Sequence, residues 1–262
     1  MKGIVFLGGG RITGALCAGL RLASYSSTLL VYDRNPSKLR ALQRESRVEI
    51  ARDVKSAERA EMVIVAVRPT SVEEMLREVA ASGPAPKLCV SLAAGIPLRR
   101  LRAWLPGMRW VRAMPSPVCR AGRGLTALCF DPSVKRSDRA RVRGLFARVG
   151  QVVEVPEKRF DAFTATYSSS HGYHALAALA EAGRRAGLDR TTSLTAAAHA
   201  LADGIGYWRE SGLSLDELLR EAATPGGIAA ATMSAMDQAG YARVVAKGLT
   251  AGIAQARRNA KR

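Results

Sequence analysis

The chain has 262 residues, 48% of them hydrophobic, and a mean hydropathy of −0.01, so it is long and apolar enough for one large core or two modest ones and too apolar for disorder. No apolar run approaches the roughly 20 residues of a membrane span, and Met1-Lys2 leads straight into Gly3 to Leu7 without a cleavable leader; a cytoplasmic protein with no membrane partner is expected. The net charge of +18 would suit nucleic acid, but aromatics are 5% and the basic residues alternate with apolar ones at helical spacing, which predicts solvated helix faces and no nucleic-acid partner.

In chain order, the first 156 residues alternate short β-branched runs with helical stretches, the pattern of βαβ units on a mostly parallel sheet. Strands are expected at Gly3 to Leu7, Thr28 to Tyr32, Met62 to Val67, Leu88 to Leu92, Trp110 to Ala113, Leu125 to Phe130 and Gln151 to Val155, with helices at Ile12 to Ala23, Pro36 to Glu45, Ser71 to Ala81 and Asp138 to Val149. After Pro156 the texture changes. From Phe160 onward Ala, Leu and Gly dominate and no strand is expected, which predicts an all-helical second domain over 157–262 after a Rossmann-type α/β domain over 1–156. Stretches such as Ala196 to Ala202 and Ile228 to Met236 are too apolar to stay exposed, so a homodimer or higher homo-oligomer is expected. The four cysteines, Cys17, Cys89, Cys119 and Cys129, have neither disulfide-framework nor zinc-site spacing and are expected to be reduced and buried, with no metal site.

The first strand runs into Gly8-Gly9-Gly10-Arg11-Ile12-Thr13-Gly14. A strand, a glycine turn and a helix start at this spacing let backbone N–H groups approach a pyrophosphate while the helix dipole favours its charge. Gly8, Gly10, Arg11 and Ile12 are therefore expected to hold a dinucleotide. Thr13 takes the third glycine position, which predicts slightly looser helix–strand packing. The second strand ends in Asp33-Arg34-Asn35-Pro36-Ser37-Lys38, where the adenosine ribose is read. Asp33 alone would favour NAD by accepting from the 2′-hydroxyl, whereas Arg34, Ser37 and Lys38 together suit a 2′-phosphate, so NADP is the expected cofactor.

The whole chain resembles the pyrroline-5-carboxylate reductase family. The resemblance is carried by ordered blocks: GGGRIT near the start, AVRP at Ala66 to Pro69, SLAAG at Ser91 to Gly95, VRAMP at Val111 to Pro115, GLTA at Gly124 to Ala127, FDAFTA at Phe160 to Ala165 and TPGG at Thr224 to Gly227. It implies NAD(P)H-dependent reduction of a cyclic imine acid to proline by a Rossmann domain followed by a helical dimerisation domain. It also implies that Val67, Arg68, Pro69, Ala93, Met114 and Ser116 lie along the cofactor. Three departures bear on the substrate. Ser116-Pro117 stand where the family has Asn-Thr, Ser168 to Tyr173 replace its GSGPAY stretch, and Ala229 replaces the threonine two residues beyond TPGG.

Thr224 is predicted to N-cap a helix with Pro225 at its first position, leaving the N–H groups of Gly226, Gly227 and Ile228 to hold a substrate carboxylate. Reducing an imine also needs a proton source, for which Ser169, Ser170, His171 and Tyr173 are the candidates; His171 alone among the histidines falls in a family-matched site block. Two other readings stay open. A hydroxyacid dehydrogenase would need a catalytic lysine, and Lys158, Lys247 and Lys261 sit outside any suitable motif; a non-catalytic NADP-binding regulator would account for Ala229.

Overall fold

The computed structural model describes residues 3–84 and 87–260, so Lys261 lies outside it. Among them, eight strands form one sheet: β1 (Gly3–Leu7), β2 (Thr28–Tyr32), β3 (Glu49–Ile50), β4 (Met62–Val65), β5 (Leu88–Ser91), β6 (Arg109–Pro115), β7 (Gly124–Phe130) and β8 (Gly150–Glu154), in the order β3-β2-β1-β4-β5-β6-β7-β8. Every pair is parallel except β6 with β7. The helices of this half are α1 (Arg11–Leu22), α2 (Pro36–Ser46), α3 (Val72–Ser82), α4 (Leu98–Trp104), α5 (Arg136–Ala147) and α6 (Glu157–Thr166).

Strand alternation explains the two-sided core. Ile4 and Phe6 of β1 pack with Leu16 and Leu20 of α1, Leu42 of α2 and Phe146 of α5 on one face, while Val5 and Leu7 pack with Leu76 of α3, Leu101 of α4 and Phe160 of α6 on the other. The expected strands are all present, although β4 and β5 stop at Val65 and Ser91, short of Val67 and Leu92. Outside the expected set lie β3, which is only two residues long, and α4, whose seven residues carry four arginine or tryptophan side chains among few aliphatic ones. All four cysteines are buried free thiols.

Arg112 of β6 is 2% exposed in side chain and lies across α6: it donates to Asp161 at 2.9 Å, pairs with Glu157 at 3.5 Å and stacks its guanidinium 4.5 Å from the Phe160 ring. Glu157 also accepts from the Leu98 N–H at 2.6 Å. Strand β6, helix α6 and the start of α4 are thus tied around the buried Arg112 cation.

The remaining helices are α7 (Ser170–Arg185), α8 (Arg190–Ser211), α9 (Leu215–Ala222), α10 (Ile228–Gln238) and α11 (Tyr241–Asn259), so no strand follows β8 among the described residues. The chain forms two compact units, one running to Thr166 and resuming at Ala251, the other Tyr167–Thr250. Within the first unit, α11 closes against the loop before α4: Arg100 donates to the Ala260 carbonyl, and Asn259 Nδ2 donates to the Ala94 carbonyl at 3.4 Å. Within the second, α7 and α8 pack through Ser193, whose hydroxyl donates to the Ala180 carbonyl beside Gly183. Asp189 caps α8, and Ser214 with Glu217 forms a capping box on α9.

Candidate functional site

β1 is followed by Gly8, whose φ of +112° a side chain would strain and whose Cβ would lie 2.7 Å from the Ala66 carbonyl oxygen. That glycine lets the chain turn between β2 and β4: the Gly8 N–H donates to Tyr32 at 2.7 Å and the Ala66 N–H to Leu7 at 2.8 Å. Gly10 then N-caps α1 without a side-chain cap, and a Cβ there would meet open space. The first-turn N–H groups of α1 are left to a ligand. Thr13, expected to loosen the packing, is instead fully buried and donates its hydroxyl to the Gly8 carbonyl at 2.5 Å, tying the loop to the helix. Close helix packing is provided one residue later, where a Cβ on Gly14 would lie 3.1 Å from Leu42.

These pieces open on a cleft of about 280 Å³ beyond the carboxyl ends of β1, β2 and β4, at the point where the sheet order reverses around β1. Of the residues expected to hold the cofactor, Gly8, Gly10, Asp33, Arg34, Lys38, Val67 and Arg68 line this cleft, joined by Ala66, Ser71, Glu74 and Met75, which the sequence reading did not single out. Arg11 and Ile12 form the first turn of α1 above it, and Pro69 starts a short 3-10 helix beside it. Ser37 faces a separate shallow groove with Arg40, Gln43 and Arg44, and its hydroxyl accepts from Arg40 at 3.3 Å. Ala93 is buried after β5, and Met114 sits on β6 opposite Ala127. Ser116 is held locally: its hydroxyl accepts from the Val118 N–H at 3.1 Å, capping a short 3-10 helix whose first residue is Pro117. The Ser-Pro pair is itself a helix-start signal that was legible in the sequence.

The rim of the cleft is built from charges. Asp33 accepts from the Gly9 N–H at 2.7 Å and the Asn35 N–H at 2.8 Å, one bond to each oxygen, and Lys38 Nζ lies 3.7 Å from it. The carboxylate thus fixes the glycine loop from across the cleft. Arg34 donates to Glu74 at 2.8 Å and to Glu78 at 2.9 Å, and the Tyr32 hydroxyl donates to Glu78 at 3.2 Å. Burial, and after it the Glu78 carboxylate, raises the Tyr32 pKa above its usual value.

In the second unit, Ser169, Ser170, His171 and Tyr173 occupy the exposed first turn of α7, where Ser169 is the N-cap residue and the Ser168 and Ser170 hydroxyls are 2.7 Å apart. The helix expected to begin at Thr224 begins later. Thr224 to Gly227 form a turn in which the Gly227 N–H donates to the Thr224 carbonyl at 2.9 Å and Gly226 has a φ of +75°, the geometry of a type II turn with Pro at its second position and Gly at its third. Gly227, not Thr224, is the N-cap of α10, and it has no side chain with which to cap. The Gly227 N–H is thus used within the turn, and the first-turn donors of α10 are those of Ile228, Ala229 and Ala230. Pro-Gly in that order is the signal for such a turn, and it outweighs the threonine cap expected at Thr224. No cluster of metal-ligating side chains is present among the described residues.

Residues 3–95 match a family model described as NADP oxidoreductase coenzyme F420-dependent, and residues 157–259 match one described as pyrroline-5-carboxylate reductase dimerisation. A pyrroline-5-carboxylate reductase from Mycobacterium tuberculosis is 32% identical to the chain over 94% of its length and 92% of that protein's. The chain belongs to the pyrroline-5-carboxylate reductase family. Within that family, a pea reductase from Pisum sativum is 25% identical over 96% of the chain and 94% of that protein. The fold matches the solved Coxiella burnetii pyrroline-5-carboxylate reductase with a TM-score of 0.88 at 24% identity, covering 99% and 98% of the two chains. It also matches the NADP-bound pyrroline carboxylate reductase of Plasmodium falciparum at 0.87 and 20%, covering 98% of each. The Rossmann-type sheet and helical dimerisation domain expected from the sequence are thus those of this reductase family.

Proposed function

We propose that the chain reduces pyrroline-5-carboxylate, or a closely related cyclic imine acid, to proline or its analogue with NADPH. The observation that carries this reading is the 32% identity to the mycobacterial reductase along both halves of the chain. NADPH supplies the hydride; the protein supplies position, an anion anchor and a proton source. Gly8, Gly10, Arg11 and Ile12 take the pyrophosphate on the loop and the helix start. Arg34 and Lys38 face the ribose end, with Arg40 and Ser37 outside it, while Val67, Arg68, Pro69, Ala93, Met114 and Ser116 extend the cofactor surface. The turn Thr224, Gly226 and Gly227 presents the start of α10, where the N–H groups from Ile228 onward anchor the substrate carboxylate. His171, with Ser169, Ser170 and Tyr173 beside it, is the proton source for the imine nitrogen.

Ala229 lacks the hydroxyl that the family places there, so the substrate panel includes six-membered as well as five-membered cyclic imines. The same reading covers a functional division at 156/157, a homodimer in the cytoplasm, and no nucleic-acid or membrane partner; no helix is long and apolar enough to cross a membrane among the described residues. The deciding experiment follows NADPH oxidation with pyrroline-5-carboxylate and the imine panel, with proline identified as product. If NADPH binds but no cyclic imine oxidises it, the catalytic reading fails and a regulator remains.

A further inference from the structure

We propose that Glu74 and Glu78 of α3 are positioning residues that set cofactor preference: they compete with the cofactor's 2′-phosphate for Arg34 and so limit the preference for NADPH over NADH. The proposal rests on the reading of the cleft as a nicotinamide dinucleotide site.

Arg34 follows Asp33 at the tip of β2, beside the ribose end of the cleft, yet each of its two terminal nitrogens already donates to a carboxylate, Glu74 at 2.8 Å and Glu78 at 2.9 Å. The two acids are four residues apart on α3 and so share one face. Tyr32 donates to the second oxygen of Glu78, fixing it from the strand side. Lys38, a second cation of the cleft beside Arg68, faces Asp33. Three carboxylates therefore already partner Arg34 and Lys38 before any phosphate arrives. These two bonds use two of the five N–H groups of the guanidinium; a phosphate taken end-on by both terminal nitrogens displaces at least one glutamate, and one taken elsewhere on the guanidinium still sits beside both carboxylates. The 2′-hydroxyl of NADH meets no such penalty, because it is uncharged and donates to acceptors already present.

The sign of the effect separates this arrangement from its opposite. If the glutamates aimed Arg34 at the phosphate, removing them would weaken NADPH selectively; if they compete with it, removing them strengthens NADPH selectively. Arg34 and Glu74 are more than half exposed in side chain, so the effect is modest.

The test titrates the full chain with NADP+ and NAD+, and with adenosine 2′,5′-bisphosphate and 5′-AMP, in the unmodified protein, Glu74→Gln, Glu78→Gln and the double variant. The expected result is a roughly three- to tenfold rise in the affinity ratio of phosphorylated to unphosphorylated ligand for the double variant, the size that exposed ion pairs allow. Part of that rise appears in each single variant, and 5′-AMP affinity is little changed. A ratio that stays level or falls overturns the proposal. Loss of all four ligands in the variants alone would show a structural role for the pair and overturn it too. If the unmodified protein binds none of the ligands, the cleft reading itself fails, and the proposal with it.

Discussion

The exposed first turn of α7 carries three hydroxyls, counting Tyr173, and the His171 imidazole, and it is from here that we propose the proton for the reduced imine comes. Losing a positioned proton donor costs roughly 100-fold or more in rate, while a side chain this exposed contributes little to stability. His171→Ala should therefore lower turnover sharply with little change in melting temperature or NADPH affinity, measured by steady-state kinetics beside thermal unfolding. Full activity in that variant would move the proton source to Ser169, Ser170, Tyr173 or water. Arg34→Ala should remove most of the NADPH preference and leave Glu74 and Glu78 unneutralised beside the 2′-phosphate; cofactor titration checks it, and equal affinities for NADPH and NADH in the unmodified protein would defeat the assignment. The cysteines behave oppositely to reactive ones. Burial pushes the Cys17 thiol up to about 12 and Cys119 and Cys129 to about 11, so at neutral pH almost no thiolate is present. A thiol reagent should label the native protein slowly and the unfolded protein fully.

At the scale of elements, the β1–loop–α1 unit depends on Gly8. Gly8→Ala places a methyl against the Ala66 carbonyl at a φ that side chains rarely adopt, so dinucleotide affinity should fall by more than tenfold together with a measurable loss of stability; an unchanged dissociation constant would show that the loop relaxes. The tie between β6 and α6 is a second such joint. Arg112→Met keeps the length of the side chain but leaves Asp161 and Glu157 without their cation, and should cost about 3 kcal/mol in denaturant unfolding; because both acids retain some exposure, a smaller value means that water replaces the guanidinium. The strands, the glycine loop and the change to helices after Pro156 were legible because apolar periodicity and turn chemistry are local. The two-residue β3 and the arginine-rich α4 were not, since tertiary pairing rather than pattern makes them. The same limit applied to the site. Asp33 and Arg34 could be named from their place after β2, but their partners, the Gly9 amide and the α3 glutamates, are brought there by the fold, 24 and 40 or more residues away. The late start of α10 was readable from Pro225-Gly226 and was overridden by the competing pattern of a threonine cap.

At the scale of the molecule, the second unit has little interior of its own. Among its described residues only Ser193 and Ala197 are buried, while Tyr173, Ile205, Tyr207, Leu215, Ile228 and Val244 are each more than half exposed. Such a surface needs a partner, and its span falls within the part of the chain that matches the family's dimerisation model. Sedimentation at micromolar concentration should give a dimer, and a stable monomer would contradict it. The division of the chain has a further consequence for its birth on the ribosome. Because the first unit is interrupted after Thr166 and resumes only at Ala251, its last helical turns are translated after the whole of the intervening segment. The Rossmann half cannot finish folding as an early, independent module: until the ribosome has passed Ala260, the contacts of Asn259 with Ala94 and of Arg100 with Ala260 are missing. A nascent chain arrested near Thr250 should thus hold its sheet in a looser state, cleaved by protease faster than the released protein, and the helical segment must be tolerated as an insertion in an unfinished domain.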